Sequence, residues 1–174
     1  EICKSNIYTV LYLFTRDMIF IQNFNHGDLH PSNWKVIRDP KSAIGYKVVL
    51  YDFGFCWSDL RGVAHNTIDI MESYDSSEKA TDEHFKRFSE IFYNSIEHDH
   101  LADKVSLRTD IVAHLQSHPL VGKSEVGFII TPISVYNVVN DYCYDRGIAI
   151  SPTLIQFVIL YTQLHLTCAK YGYS

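Results

Sequence analysis

The sequence predicts a mainly α-helical chain that carries one small β-hairpin element. Three observations predict it. Apolar residues recur at helical spacing over residues 2–22 and in four further stretches after residue 80. One region alone, residues 34–51, holds short Val- and Tyr-rich runs separated by turn residues, the pattern of paired strands. Apolar residues are 47% and aromatic residues 14% of 174. A chain of that size and composition buries roughly 70% of its unfolded surface, which excludes a disordered or low-complexity protein.

The elements follow in order. Ile7, Val10, Leu11, Leu13, Phe14, Met18 and Ile21 are spaced for a largely buried helix. It ends near Asn23 to Asn25, because Asn competes with the helix through its own side chain. His26 to Asn33 is a loop marked by Gly27 and Pro31. Trp34–Ile37 and Tyr46–Tyr51 are strands joined across the turn residues Pro40 and Gly45. From Phe55 to about Lys79 the chain is polar and reads as irregular. Thr81 caps a helix with Asp82 and Glu83 in its first turn and Phe85, Phe88, Ile91, Phe92 and Ile96 on its apolar face. A second helix covers Asp103 to Gln116, before Pro119. A third covers Pro132 to Arg146, with Ile133, Tyr136, Val139 and Cys143 in phase and Gly147 as its stop. The last starts with Ser151 as cap and Pro152 at the first position and ends at Gly172. The domain reading is a single unit over 1–174: a helix to residue 25, loops on short strands over 26–58, and a helical subdomain over 59–174.

Charge and cysteine usage narrow the function. The net charge is −5 with no basic run, which argues against a nucleic-acid partner. Cys3, Cys56, Cys143 and Cys168 are far apart and form no C-x-x-C, which suits buried thiols in a reducing compartment, cytoplasm or organelle matrix. No signal-peptide pattern is present, and the most apolar stretch, Leu154 to Ala169, is interrupted by Gln156, Thr162, Gln163, His165 and Thr167. No transmembrane segment is expected; peripheral membrane contact stays open. The sequence opens at Glu1, without Met, directly in an apolar pattern, so a piece of a longer protein is expected.

The stretch that carries chemistry is HGDLHPSN, then two strands, then YDFGF. Asp28 and Asn33 stand five apart on one loop, and Asp52 follows a strand and precedes Gly54. Loops at strand ends are where a rigid scaffold aims polar groups at a ligand. Asn and Asp oxygens suit a hard cation such as Mg²⁺, which also takes phosphate oxygens. A separate Asp can accept the proton of an attacking hydroxyl. Such a set is a phosphoryl-transfer arrangement.

The spacing Asp-x-x-x-x-Asn followed by Asp-Phe-Gly resembles the catalytic and metal loops of the protein-kinase-like fold. Within it, HGDLHPSN with DFG most resembles the ABC1 atypical kinases, the UbiB and coenzyme Q8 group. Aminoglycoside and choline phosphotransferases, which also use His-Gly-Asp followed by Asn, are the near second. The resemblance is sharp over residues 26–54 and weaker over the tail from Ile150 to Thr167. It implies the C-terminal lobe of a kinase-like fold, with ATP and Mg²⁺ as cofactors. It implies that Asp28 is catalytic, orienting or deprotonating the acceptor hydroxyl. It implies that Asn33 and Asp52 hold the metal, that Asp52 and Gly54 belong to the nucleotide-binding loop, and that His26 packs beneath the catalytic loop and holds its backbone.

Departures from the pattern sharpen the expectation. His30 stands where protein-kinase loops usually carry Lys, and no Ala-Pro-Glu follows Asp-Phe-Gly, so an ordinary protein kinase is not expected. Nothing before His26 supplies a Gly-rich loop with a strand Lys, or the Lys-x-Gly-Gln element of ABC1 proteins. The nucleotide-clamping lobe is therefore expected elsewhere in a parent protein or assembly, and the isolated chain is expected to turn over little. Two readings compete: an ATP-dependent phosphotransferase, and a non-catalytic pseudokinase or scaffold component.

Blander readings stand beside these. Asp28 and Asn33 are also common turn residues. His26-x-Asp28 with a distant His is the pattern of a two-His-one-carboxylate iron site, but the helical half disfavours the jelly-roll such a site needs. His98-Asp99-His100 is read as a solvated helix end, because adjacent residues on a helix do not face each other. Arg61 is read as a phosphate contact or a surface residue, and Trp34 and Trp57 as core around the strands. Tyr136, Tyr142 and Tyr144 are read as packing residues.

Overall fold

The structure is a computed structural model that describes residues 4–73, 81–119 and 131–170. The predicted start of the first helix at residue 2, the side chain of Ile7, Cys3, Lys79 and the predicted stop at Gly172 lie outside the described residues. The chain is mainly helical with two small antiparallel sheets. Among the described residues no helix is long and apolar enough to cross a membrane. The chain divides into two compact units, one of Glu1–Asp59 with Gln156–Ser174 and one of Leu60–Ile155.

The first unit opens with helix α1, Lys4–Arg16, which continues as a π-helical turn over Asp17–Gln22. Asn23 ends it in the left-handed region at φ 46°. Asn is one of the few non-glycine residues that tolerates this, because its short polar side chain bonds locally. Here the Asn23 Oδ1 accepts the Asp59 N–H at 2.7 Å, joining the residues on either side of the strand region. Strands β1 (Asn25–His26), β2 (Trp34–Arg38), β3 (Tyr46–Leu50) and β4 (Cys56–Trp57) follow. The predicted hairpin is the β2–β3 pair, in register from Trp34↔Leu50 to Arg38↔Tyr46. A second pair, β1–β4, aligns Asn25 with Trp57 and His26 with Cys56. Two-residue strands carry too little periodicity to be read from a sequence. Trp34 and Trp57 are buried with Val10, Leu11, Met18, Ile19 and Leu29, as core residues around the strands.

The second unit is helical. The stretch read as irregular contains α2, Val63–Ser73, a correction to the sequence reading. Val63, Ala64, Thr67 and Ile70 are buried along one face at helical spacing. Asn, Thr and Asp among them are poor helix formers, so packing rather than propensity holds this helix. Helix α3, Asp82–Asn94, starts at the predicted cap, Thr81. The capping box is closed by His84 rather than by Glu or Gln: its Nδ1 accepts the Thr81 N–H at 3.1 Å. Helix α4, Lys104–Ser117, is capped by Asp103, whose carboxylate is held below its usual range by the Ser106 N–H bonded to it. Helix α5 spans Pro132–Arg146, as predicted, between Thr131 and a left-handed Gly147.

The buried face of α5 keeps Val139 and Cys143 of the one expected but not Ile133 or Tyr136. Val135, Val138, Val139, Tyr142 and Cys143 are buried, whereas Ile133 is 46% exposed and Tyr136 only half-buried. The apolar residues of α5 fit two overlapping stripes, and tertiary packing selects the one centred on Val135 and Tyr142. Phe92 of α3 meets Tyr142 edge-on at 5.2 Å, and His114 of α4 lies 5.2 Å from the same ring. Arg87 bonds Asp69 and Arg108 bonds Glu90, tying α3 to α2 and to α4. Helix α6, Pro152–Lys170, belongs to the second unit through Ile155 and to the first from Gln156.

Phe92→Ala is expected to lower stability by about 3–5 kcal/mol. Ile133→Ala should stay within about 0.5 kcal/mol, as for an exposed site. Urea unfolding of both variants checks this; a loss of about 2–5 kcal/mol in Ile133→Ala would restore the face read from the sequence.

Candidate functional site

The candidate residues sit on two loops at one end of the β2–β3 ladder. The first loop, residues 27–33, turns on the Asn33 N–H, which donates to the His30 carbonyl at 2.9 Å. Its inner side is fixed by the Trp34 indole, which donates to the Leu29 carbonyl at 3.1 Å. The second loop begins at Tyr51, whose N–H donates to the Asn33 carbonyl at 2.8 Å. That bond continues the β2–β3 register by one step, so Asp52 follows the residue opposite Asn33. Directly opposed residues in an antiparallel ladder are about 5 Å apart at Cα.

His26 links the two loops from beneath. It is fully buried. Its Nδ1 accepts the Asp28 N–H at 3.2 Å, and its Nε2 lies 2.9 Å from the Tyr51 carbonyl. An acceptor at Nδ1 and a carbonyl at Nε2 specify one tautomer, with the proton on Nε2. Gly27, next in sequence, donates to the Phe55 carbonyl at 2.8 Å. A Cβ at Gly27 would overlap the Phe55 ring, so glycine is what lets the two loops approach.

Asp28 is the most connected of the candidates. Its Oδ1 accepts from the Gln163 side-chain amide at 3.1 Å. Its Oδ2 accepts from the Asn33 amide at 3.4 Å, and the same amide reaches the Asp28 carbonyl at 3.0 Å. The His30 Nε2 is 3.7 Å from Oδ2, too far for a hydrogen bond. His30 Nδ1 accepts the Ser32 N–H, which leaves the Nε2 proton toward Asp28. The Asp28 side chain is 46% exposed, so Oδ2 is open to an incoming hydroxyl.

Asp52 occupies the left-handed region at φ 55°. Its Oδ1 accepts the Gly54 N–H at 3.2 Å, a side-chain turn of the kind Asp favours. A Cβ on Gly54 would stand 3.1 Å from that oxygen, so Gly54 leaves room for the turn. Phe53 between them is 53% exposed and lies 5.5 Å from the His26 ring and 6.4 Å from the Phe24 ring.

The donor set suits a hard cation. The Asn33 nitrogen is committed to Asp28, so its oxygen is the atom free to turn to a ligand. The second Asp52 oxygen, not engaged by Gly54, completes a pair of hard oxygen donors. Among the described residues no group of three or more His, Cys, Asp or Glu is gathered.

Other candidates fall elsewhere. His98 is a correction to the solvated helix end: it is buried, stacked on Tyr93 at 3.9 Å, and bonded through neither ring nitrogen. Asp99 and His100 are exposed. Arg61 is held inside the second unit, donating to the Ile96 carbonyl at 3.0 Å and to Asp99 at 2.9 Å, with Glu97 at 3.7 Å. It is therefore engaged with carboxylates rather than free for a phosphate. Tyr142 packs in the core while Tyr144 is exposed. Cys56, Cys143 and Cys168 are free thiols, and burial pushes Cys143 up to about 11, which makes it a packing residue rather than a nucleophile.

Gln163 is the site residue the sequence did not single out. A signal was present: it lies three residues after Leu160 and four before Thr167, both buried, so it stands on the inner side of the helix. No protein-family model, curated protein or solved structure matches the chain.

His26→Leu leaves the Asp28 N–H and Tyr51 carbonyl unpaired and is expected to lower stability by about 1–3 kcal/mol for each group. Urea unfolding checks it; a neutral effect would show that neither bond matters. A pH dependence follows from His98 and His114, both held below the usual histidine range by burial. Their folded forms resist protonation, so their contribution is complete above about pH 6.5 and is lost as pH falls below it. Unfolding midpoints measured from about pH 7.5 down to 5 should decline in wild type and decline less in His98→Phe, which keeps the Tyr93 stack.

Proposed function

We propose that this chain carries the catalytic and metal loops of an ATP- and Mg²⁺-dependent phosphotransferase of the ABC1-like atypical kinase type. In this reading it is the C-terminal lobe of a protein-kinase-like fold, and the phosphate-clamping lobe is supplied by the rest of a two-lobed parent or a larger assembly. One observation carries the reading. The Asn33 amide is bonded to both the carbonyl and the carboxylate of Asp28, at 3.0 and 3.4 Å, and the ladder sets Asp52 one step beyond the residue opposite Asn33. Asp28 and Asn33 are thereby bonded to each other, and Asp52 follows the residue whose N–H pairs with Asn33, which supports reading the three as one site.

The residues divide the work. Asp28 presents Oδ2 to the acceptor hydroxyl, orients it and takes its proton as the acceptor oxygen bonds to the γ-phosphorus of ATP and the bond from that phosphorus to ADP breaks, with ADP as the leaving group. Gln163 and Asn33 hold the two carboxylate oxygens in place. His26 keeps the two loops in register, and Gly54 lets Asp52 turn. Asn33 Oδ1 and the Asp52 carboxylate would hold the cation. Bound Mg²⁺ supplies neutralisation of phosphate charge.

A thermal-shift titration of the full-length protein tests the reading. Millimolar Mg-ATP is expected to raise the melting temperature, and Asp52→Asn to abolish both that shift and phosphotransfer. Asp28→Asn should retain the shift while lowering turnover about 10²–10⁴-fold. Full activity in Asp52→Asn would refute the metal assignment. Absence of any shift in wild type would favour the non-catalytic scaffold.

A further inference from the structure

We infer that Gln163 of α6 is a positioning residue that clamps the 27–33 loop and aims the Asp28 carboxylate. Its catalytic consequence rests on the phosphotransfer reading; the clamp itself does not. One amide makes both bonds: Oε1 accepts the Leu29 N–H at 2.8 Å, and Nε2 donates to Asp28 Oδ1 at 3.1 Å. A primary amide carries both an acceptor and a donor at its end, which the two bonds require. Leu29 is buried, so its N–H has no water to turn to if the amide is lost.

The arrangement selects which Asp28 oxygen works. With Oδ1 held by Gln163 and the Asn33 amide 3.4 Å from Oδ2, the carboxylate is fixed in rotation. Oδ2 is left as the edge nearer His30, at 3.7 Å. The helix that carries Gln163 is itself held by burial of Phe157 and Leu160, and the Thr167 hydroxyl donates to the Gln163 carbonyl at 2.8 Å. The amide is therefore offered from a packed helix rather than from a mobile loop, which is what precise aim requires.

Two substitutions in the full-length protein separate the bonds. Gln163→Met removes both. The Leu29 amide should then exchange with deuterium roughly 2- to 10-fold faster, the range one lost hydrogen bond gives. Turnover should fall about 10²-fold with the KM for Mg-ATP unchanged. Gln163→Glu keeps an acceptor for Leu29 but sets a carboxylate against Asp28. Leu29 protection should stay within about twofold of wild type while turnover falls as in Gln163→Met. Restoration of turnover by Gln163→Asn would overturn the clamp, because the shorter amide cannot span both partners. A uniform rise in exchange across the strands, following the melting temperature, would also overturn it and leave Gln163 a packing residue. Absence of turnover in wild type would remove the phosphotransfer reading, while Leu29 exchange still decides the clamp.

Discussion

The candidate site depends on one buried imidazole. His26 accepts from the backbone of one loop and faces a carbonyl of the other, so the loop of Asp28 and the residue before Asp52 share one support. Each bond is worth about 1 kcal/mol net in a folded protein, but a missing partner in a buried place costs more. The asymmetry is what makes the imidazole a constraint. An apolar side chain of similar size would leave one donor and one acceptor stranded inside the protein. Gly27 then becomes intelligible, because the same closeness that lets His26 reach both loops brings the Phe55 ring onto Gly27.

Around that point the loops are tied at several levels of strength. The ladder sets the register and Trp34 closes the inner side. Asn33 joins Asp28 to the loop's own backbone. Asn23 and Asp59 close the region outside the strands. Only Asp52 is anchored by a single local bond, to Gly54, in an exposed turn. Asp28 is thus held through His26, Asn33 and Gln163, and Asp52 by its own turn. In the proposed reading the difference is useful, since a proton acceptor needs fixed direction while a Mg²⁺ ligand must share an octahedron with phosphate and water.

Much of this was legible from residues alone, and the rest was hidden for physical reasons. The hairpin, the Thr81 cap and the bounds of α5 follow from local chemistry, which the sequence displays directly. The β1–β4 pair is two residues long, below the length at which a period exists. Helix α2 is built from residues with weak helical preference and is held by burial, which a local reading does not register. The buried stripe of α5 turns on which neighbour reaches it, here Phe92 and His114 against Tyr142. His98 reads as part of a solvated helix end, yet it stacks on Tyr93. In the site, Asp28, Asn33 and Asp52 were marked by spacing. Gln163 was not, because its partners are 134 and 135 residues away.

That separation has a consequence for synthesis. A ribosome adds about 5–20 residues per second, so α6 follows the 27–33 loop by roughly 7–27 s. Throughout that interval the Leu29 N–H and the Asp28 carboxylate have no Gln163 to meet, while the local bonds of His26 and Asn33 can already form. The local bonds thus precede the bond to Asp28 Oδ1 in the order of synthesis, and the aim of that carboxylate waits on the packing of α6.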